Sequence, residues 1–104
     1  MIDISEKNLK IVLDILKQFV PSCEVRVFGS RYKGNAKKYS DLDLVIVGSE
    51  KINWEIISDI KEAFQESDLT FRVDVIDWND IEEYFREIII KSGYEVIFYK
   101  IIKS

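Results

Sequence analysis

The chain has 104 residues, 47 % of them hydrophobic and 33 % charged, and a formal net charge of −4. That length suits one domain with one core, expected to run over residues 1–104. The acidic balance argues against a general nucleic-acid binder, which carries a basic excess, and the lack of histidine excludes a histidine base and argues against zinc.

One cysteine, Cys23, cannot form an internal disulfide, which points to the cytosol. No run approaches eighteen apolar residues, and the opening MIDISEKN lacks the shape of a signal peptide, so no membrane association is expected. Leu9, Val12, Leu13, Leu16, Phe19 and Val20 recur at helical spacing, with Asp3 or Ser5 as a cap and Pro21 as a stop. EVRVF, from Glu24 to Phe28, alternates as a strand does. The stretch GSRYKGNAKKYS that follows is turn-like and basic. DLDLVIV, from Asp41 to Val47, reads as a strand buried on both faces for most of its length. The loop before it is too short for an ordinary crossover helix, so the two strands are expected to pair antiparallel.

Asn53 caps a second expected helix, with Ile56, Ile57, Ile60, Ala63 and Phe64 on one face. FRVDVID, from Phe71 to Asp77, is a third strand rich in β-branched residues. Asn79 with Glu82, or Asp80 with Glu83, has capping-box spacing for a third helix striped by Ile81, Tyr84, Phe85, Ile88 and Ile89 and ended by Gly93. The tail YEVIFYKII is an edge strand or a docking segment, and Val96, Ile97, Phe98, Tyr99, Ile101 and Ile102 give it more apolar surface than one strand face buries. The expected fold is α/β: a small mixed sheet with helices packed on it.

The chemistry lies in the carboxylates. Asp41 and Asp43 stand on one face of their strand, with Cα atoms roughly 7 Å apart. At that distance two charges repel by about 2 kcal/mol at an effective dielectric near 20. A divalent cation between them relieves the repulsion, and Mg²⁺ suits a site of one or two carboxylates completed by water and phosphate. Asp74 lies mid-strand between Val73 and Val75, where a carboxylate has no structural use, and is the third candidate. Asp77 closes the same strand and reads as a turn or capping residue. Arg72 shares Asp74's parity and can pair with a carboxylate or a phosphate. Three carboxylates on adjacent strands can hold two Mg²⁺ ions, one on a nucleotide's phosphates and one at the acceptor.

A bare D-x-D also fits a strand-end turn followed by an exposed edge carboxylate. The neighbouring Gly-Ser element moves it from that reading. Gly29 lets backbone approach a ligand, Ser30 offers a hydroxyl and nearby N–H groups to a phosphate, and Arg31, Lys33, Lys37 and Lys38 add positive charge to an acidic chain. Gly29, Ser30, Arg31 and Lys33 are the candidate nucleotide contacts.

Gly29-Ser30, ten residues, then Asp41-x-Asp43, with Asp74 on a later strand: this pattern resembles the minimal nucleotidyltransferases (MNT) of the DNA polymerase β-like superfamily, the antitoxin type paired with HEPN proteins. The resemblance implies a nucleotidyltransferase fold over nearly the whole chain. It implies that Gly29 and Ser30 meet the β- and γ-phosphates of ATP, that Asp41 and Asp43 hold the metals, and that Asp74 activates the attacking hydroxyl. The implied reaction moves AMP to a tyrosine of a helical HEPN partner. This chain departs in carrying Tyr32-Lys33-Gly34 where many members have Ala-Arg-Gly; Lys33 keeps the charge without arginine's planar fork. It also lacks the acceptor-holding domain of larger relatives, so recognition falls to a partner or to a second copy in a homodimer.

Three other readings compete. A non-catalytic module would neutralise a HEPN partner by contact, but would not need three converging carboxylates. A transferase acting on a small molecule such as an aminoglycoside would want the missing acceptor domain. A haloacid-dehalogenase-type phosphatase would carry its D-x-D on the first strand with a different continuation.

Overall fold

The computed structural model describes residues 2–99. Helix α1 (Glu6–Phe19) starts where the Ser5 hydroxyl accepts from the Asn8 N–H at 3.2 Å. It buries Val12 and Leu16, and Pro21 follows its cap, Val20. Strand β1 (Glu24–Phe28) is followed at once by a single helical turn, α2 (Ser30–Lys33), inside the stretch expected to be loop. Then come β2 (Leu42–Val47), α3 (Trp54–Gln65), β3 (Val73–Asp77), a 3₁₀ turn (Trp78–Asp80), α4 (Glu83–Ser92) and β4 (Glu95–Phe98).

The sheet order is β3-β2-β1-β4. β1 pairs antiparallel with β2 and with β4, and β2 pairs parallel with β3. The parallel pair is what α3 is for: it carries the chain back to the end where β2 began. On one face Val25, Val27, Leu42, Leu44, Ile46, Val73 and Val75 form a core with α1 and α3. The other face holds Arg26, Phe28, Asp43, Val45 and Asp74. There the Phe28 and Phe85 rings meet edge to face at 6.3 Å, and Arg26 stacks between Trp78 and Tyr94 at 5.0 and 4.4 Å. β2 is accordingly buried at Leu42, Leu44, Val45 and Ile46.

The helix after β3 starts later than expected. Asp77 caps the 3₁₀ turn, its Oδ1 accepting from the Asn79 N–H at 3.0 Å. The Asn79 amide donates to the Gly48 carbonyl at 2.9 Å, and Asp80 pairs with Lys51 at 3.0 Å. Both candidate caps are thus spent on fastening the end of β3, and Glu82 takes the cap position with no side-chain bond. The expected stripe splits as well. Ile89 is buried and Phe85 partly so, with Phe85 against Phe28 of the sheet, whereas Tyr84 and Ile88 are 64 % and 50 % exposed. In α3, Ile60 and Phe64 are buried and Ile56 is exposed at the first turn. The tail forms an edge strand on β1, with Ile97 and Phe98 packed on the core; Ile101 and Ile102 lie outside the described residues.

Candidate active site

The topology gathers the chemistry at one end of the sheet. β1 ends there, while β2 and β3 begin there, because β1 runs against β2 and β2 runs with β3. Asp43 faces Phe28 on one side and Asp74 on the other in the strand register. Asp41 lies two residues before Asp43 and projects toward the same side.

Gly29 has φ 77° and ψ −155°, a conformation in which a side chain is strained. A Cβ at this position would run into Asp43 Oδ2. Only glycine lets the turn after β1 lie directly on that carboxylate. The α2 turn is closed by the Lys33 N–H donating to the Gly29 carbonyl at 3.0 Å and the Asn35 N–H donating to the Ser30 carbonyl at 3.3 Å. Tyr32 leans back from it onto Gly93 and the core, tying the Gly-Ser turn to the junction of α4 and β4. Lys33, Lys37 and Lys38 are exposed around it.

Arg31 is not brought to the site. It is 6 % exposed, and its guanidinium donates inward: Nη1 to the Asp3 carbonyl at 2.9 Å, Nε and Nη2 to the Ser40 carbonyl at 3.0 and 2.8 Å, and Nη2 to the Lys38 carbonyl at 3.2 Å. It also lies 4.0 Å from the centroid of Phe71. Its donors are spent on backbone, so the expectation of a nucleotide contact is corrected: Arg31 is a clamp that fixes the loop just before Asp41. Asp77 takes the structural role read for it, with Oδ2 accepting from the Ile52 N–H at 2.7 Å.

The electrostatics of the three carboxylates are uneven. Burial pushes the Asp43 carboxyl above its usual range, and the charges of Asp74 and then Asp41 push it further. Asp41 and Asp74 are engaged by Arg72, whose Nη2 is 3.0 Å from Asp41 Oδ2 and 3.6 Å from Asp74 Oδ1. Arg72 was readable from strand parity alone. Among the described residues no three acidic or thiol side chains form a ready-made metal cage. The donor set is nevertheless one of carboxylate oxygens with an excess of negative charge, three carboxylates against one guanidinium. That chemistry fits a hard divalent cation that keeps much of its water.

The model of the family described as polymerase beta, nucleotidyltransferase, matches residues 6–100. The chain is 53 % identical over 96 residues to the probable protein adenylyltransferase MntA of Haemophilus influenzae, covering 92 % of this chain and 83 % of that one. Its fold is similar to a chain in a toxin–antitoxin crystal structure with AMP-PNP, at TM-score 0.67 and 16 % identity over 89 % of this chain and 74 % of that one. It is similar too to a chain in the complex of tri-AMPylated HEPN toxin from Shewanella oneidensis with MNT antitoxin, at TM-score 0.61 and 15 % identity over 91 % and 72 %. No helix of the described residues is long and apolar enough to cross a membrane.

Proposed function

The chain belongs to the polymerase beta nucleotidyltransferase family, and from that premise we propose that it is an antitoxin that transfers AMP from ATP to a tyrosine hydroxyl of a helical HEPN partner. The observation that carries the proposal is the pairing of Asp43 with Asp74 in the strand register, directly beneath a glycine whose missing side chain lets the Gly-Ser turn lie on Asp43. The relative in Haemophilus influenzae carries the name of a protein adenylyltransferase, which supports a protein acceptor here.

Asp41 and Asp43, with Asp74, would hold Mg²⁺. Bound there, it supplies neutralisation of the phosphate charge and a lowered pKa at the acceptor hydroxyl. The chain's own groups do the rest. The turn at Gly29 and Ser30 receives the terminal phosphates, with Lys33 exposed beside it. Asp74 takes the proton of the acceptor hydroxyl. The acceptor oxygen then bonds to the α-phosphorus, the bond from that phosphorus to the β-phosphate bridge breaks, and pyrophosphate leaves. The catalytic work is mainly positioning and electrostatics.

Titration of Mg²⁺-ATP into the protein and into a folded Asp41→Asn, Asp43→Asn variant tests the site. Binding to the first and not the second is expected; equal binding by both sinks it. A contact-only antitoxin is favoured by one observation, the apolar residues left outside at Trp54, Tyr84, Ile88, Ile90 and Tyr99. It predicts that the same double variant still silences the partner at equal stoichiometry.

A further inference from the structure

We infer that Arg72 is the site's resident counter-cation, which a divalent ion must displace from Asp41 and Asp74, so that this side chain sets metal affinity and is then left beside the bound phosphates. The inference rests on the nucleotidyltransferase reading and adds to it a positioning residue outside the carboxylate set.

The placement begins with the backbone. The Arg72 carbonyl accepts from the Leu42 N–H at 2.9 Å, which fixes the residue opposite the start of β2. Sharing the parity of Asp74, its side chain emerges on the carboxylate face. One nitrogen, Nη2, then lies between carboxylates from two strands, 3.0 Å from Asp41 and 3.6 Å from Asp74. The hydrogen bond and charge of Asp41, and then the charge of Asp74, hold the guanidinium still more firmly in its charged form.

Structural need does not account for this pairing. The Arg72 side chain is 74 % exposed, and ion pairs so exposed add little to stability. It does offset the charge of Asp41 and Asp74, the two carboxylates that push the Asp43 carboxyl up. Asp41 Oδ2 cannot serve the guanidinium and a metal ion equally well, because the two cations repel at contact distance. Arg72 borders a cleft of about 470 Å³ that also touches Lys61, Leu69, Phe71 and Asp74, so it has room to swing away. Its planar fork suits a phosphate once it leaves Asp41. Since arginine stays charged, the competition is not relieved by pH.

The test is Mn²⁺ binding without nucleotide, read from the electron paramagnetic resonance signal of the free ion. The proteins are wild type, Arg72→Gln, Arg72→Lys and Asp43→Asn, each checked by circular dichroism. Arg72→Gln is expected to bind Mn²⁺ about fivefold more tightly or better, Arg72→Lys to fall between it and wild type, and Asp43→Asn to lose the site. With ATP and the HEPN partner as acceptor, Arg72→Gln is expected to release pyrophosphate more slowly despite its tighter metal. Unchanged or weaker Mn²⁺ binding by Arg72→Gln overturns the inference and leaves the nucleotidyltransferase reading standing. Mn²⁺ binding that survives in Asp43→Asn, or is missing from every protein even with ATP, overturns both.

Discussion

Asp43 and Asp77 sit at opposite ends of the same parallel strand pair, and both are withdrawn from solvent. Asp77 is the more deeply buried, at 6 % exposure, yet both of its oxygens are used: Ile52 N–H donates to one and Asn79 N–H to the other. Asp43 is less buried and faces Asp74 and Asp41, and its side chain has no hydrogen-bond partner among the described residues. Burial of a carboxylate therefore does not mark function. What marks it is partial burial among like charges without a donor, since a charge that folding crowds with two others is relieved by a ligand that compensates it.

Exchanging the two residues' fates separates them most sharply. Asp43→Asn is expected to cut AMP transfer by about a thousandfold or more, the scale of losing a central electrostatic group. It should also raise the melting temperature measured without divalent ions, because a repelled charge is gone. Asp77→Ala should do the reverse. It frees two N–H groups and should cost about 1–3 kcal/mol of stability in denaturant unfolding. Its transfer rate per folded molecule should fall far less than that of Asp43→Asn. If Asp43→Asn destabilises like Asp77→Ala, the contrast is wrong.

A smaller effect on turnover is expected at Gly29. Gly29→Ala places a Cβ against Asp43 Oδ2 at a backbone conformation that disfavours one. A loss of about a hundredfold in transfer is expected, with a stability cost of roughly 1–3 kcal/mol for the strained φ. The distinguishing measurement is the double variant Gly29→Ala, Asp43→Ala. Shortening Asp43 should recover the part of the stability lost to the contact and leave the part due to the strained φ, while transfer stays lost because Asp43 itself is gone.

The two ends of the strand pair were not equally legible in the sequence. Glu24–Phe28 and the parity of Asp43, Arg72 and Asp74 could be read because a strand has a period of two, and β-branched runs announce it. Ser5 and Asn53 could be read as caps because each precedes a clear apolar period. The far end could not. Asn79 and Asp80 have the chemistry of caps, but Gly48 and Lys51, some 30 residues earlier, claim them. Arg31 misled for the same reason: its partners are carbonyls of Asp3, Lys38 and Ser40, and a carbonyl leaves no signature in the side-chain sequence. Tyr84 and Ile88 form a valid helical stripe beside that of Phe85 and Ile89, and periodicity alone cannot choose which one the sheet covers.

The smallest expected effect is the pH dependence of metal stabilisation, and it bears directly on why Asp43 differs from Asp77. The folded protein holds the Asp43 proton at a higher pH than the unfolded chain does. Folding therefore takes up a proton there, and the stability this brings is full below the unfolded carboxylate range and lost as pH rises through the raised folded value. A divalent ion binds the ionised carboxylate, so it returns stability only above that value. The rise in melting temperature on adding Mg²⁺, at constant ionic strength, should be largest near about pH 7.5 and shrink toward about pH 4, where carboxylates take up protons. In Asp43→Asn the rise should be small and flat with pH, and in Asp77→Ala it should keep the wild-type slope on a lower baseline. A wild-type rise independent of pH over that range would place the ion on groups other than Asp43, and the uncompensated carboxylate would then need another ligand to explain it.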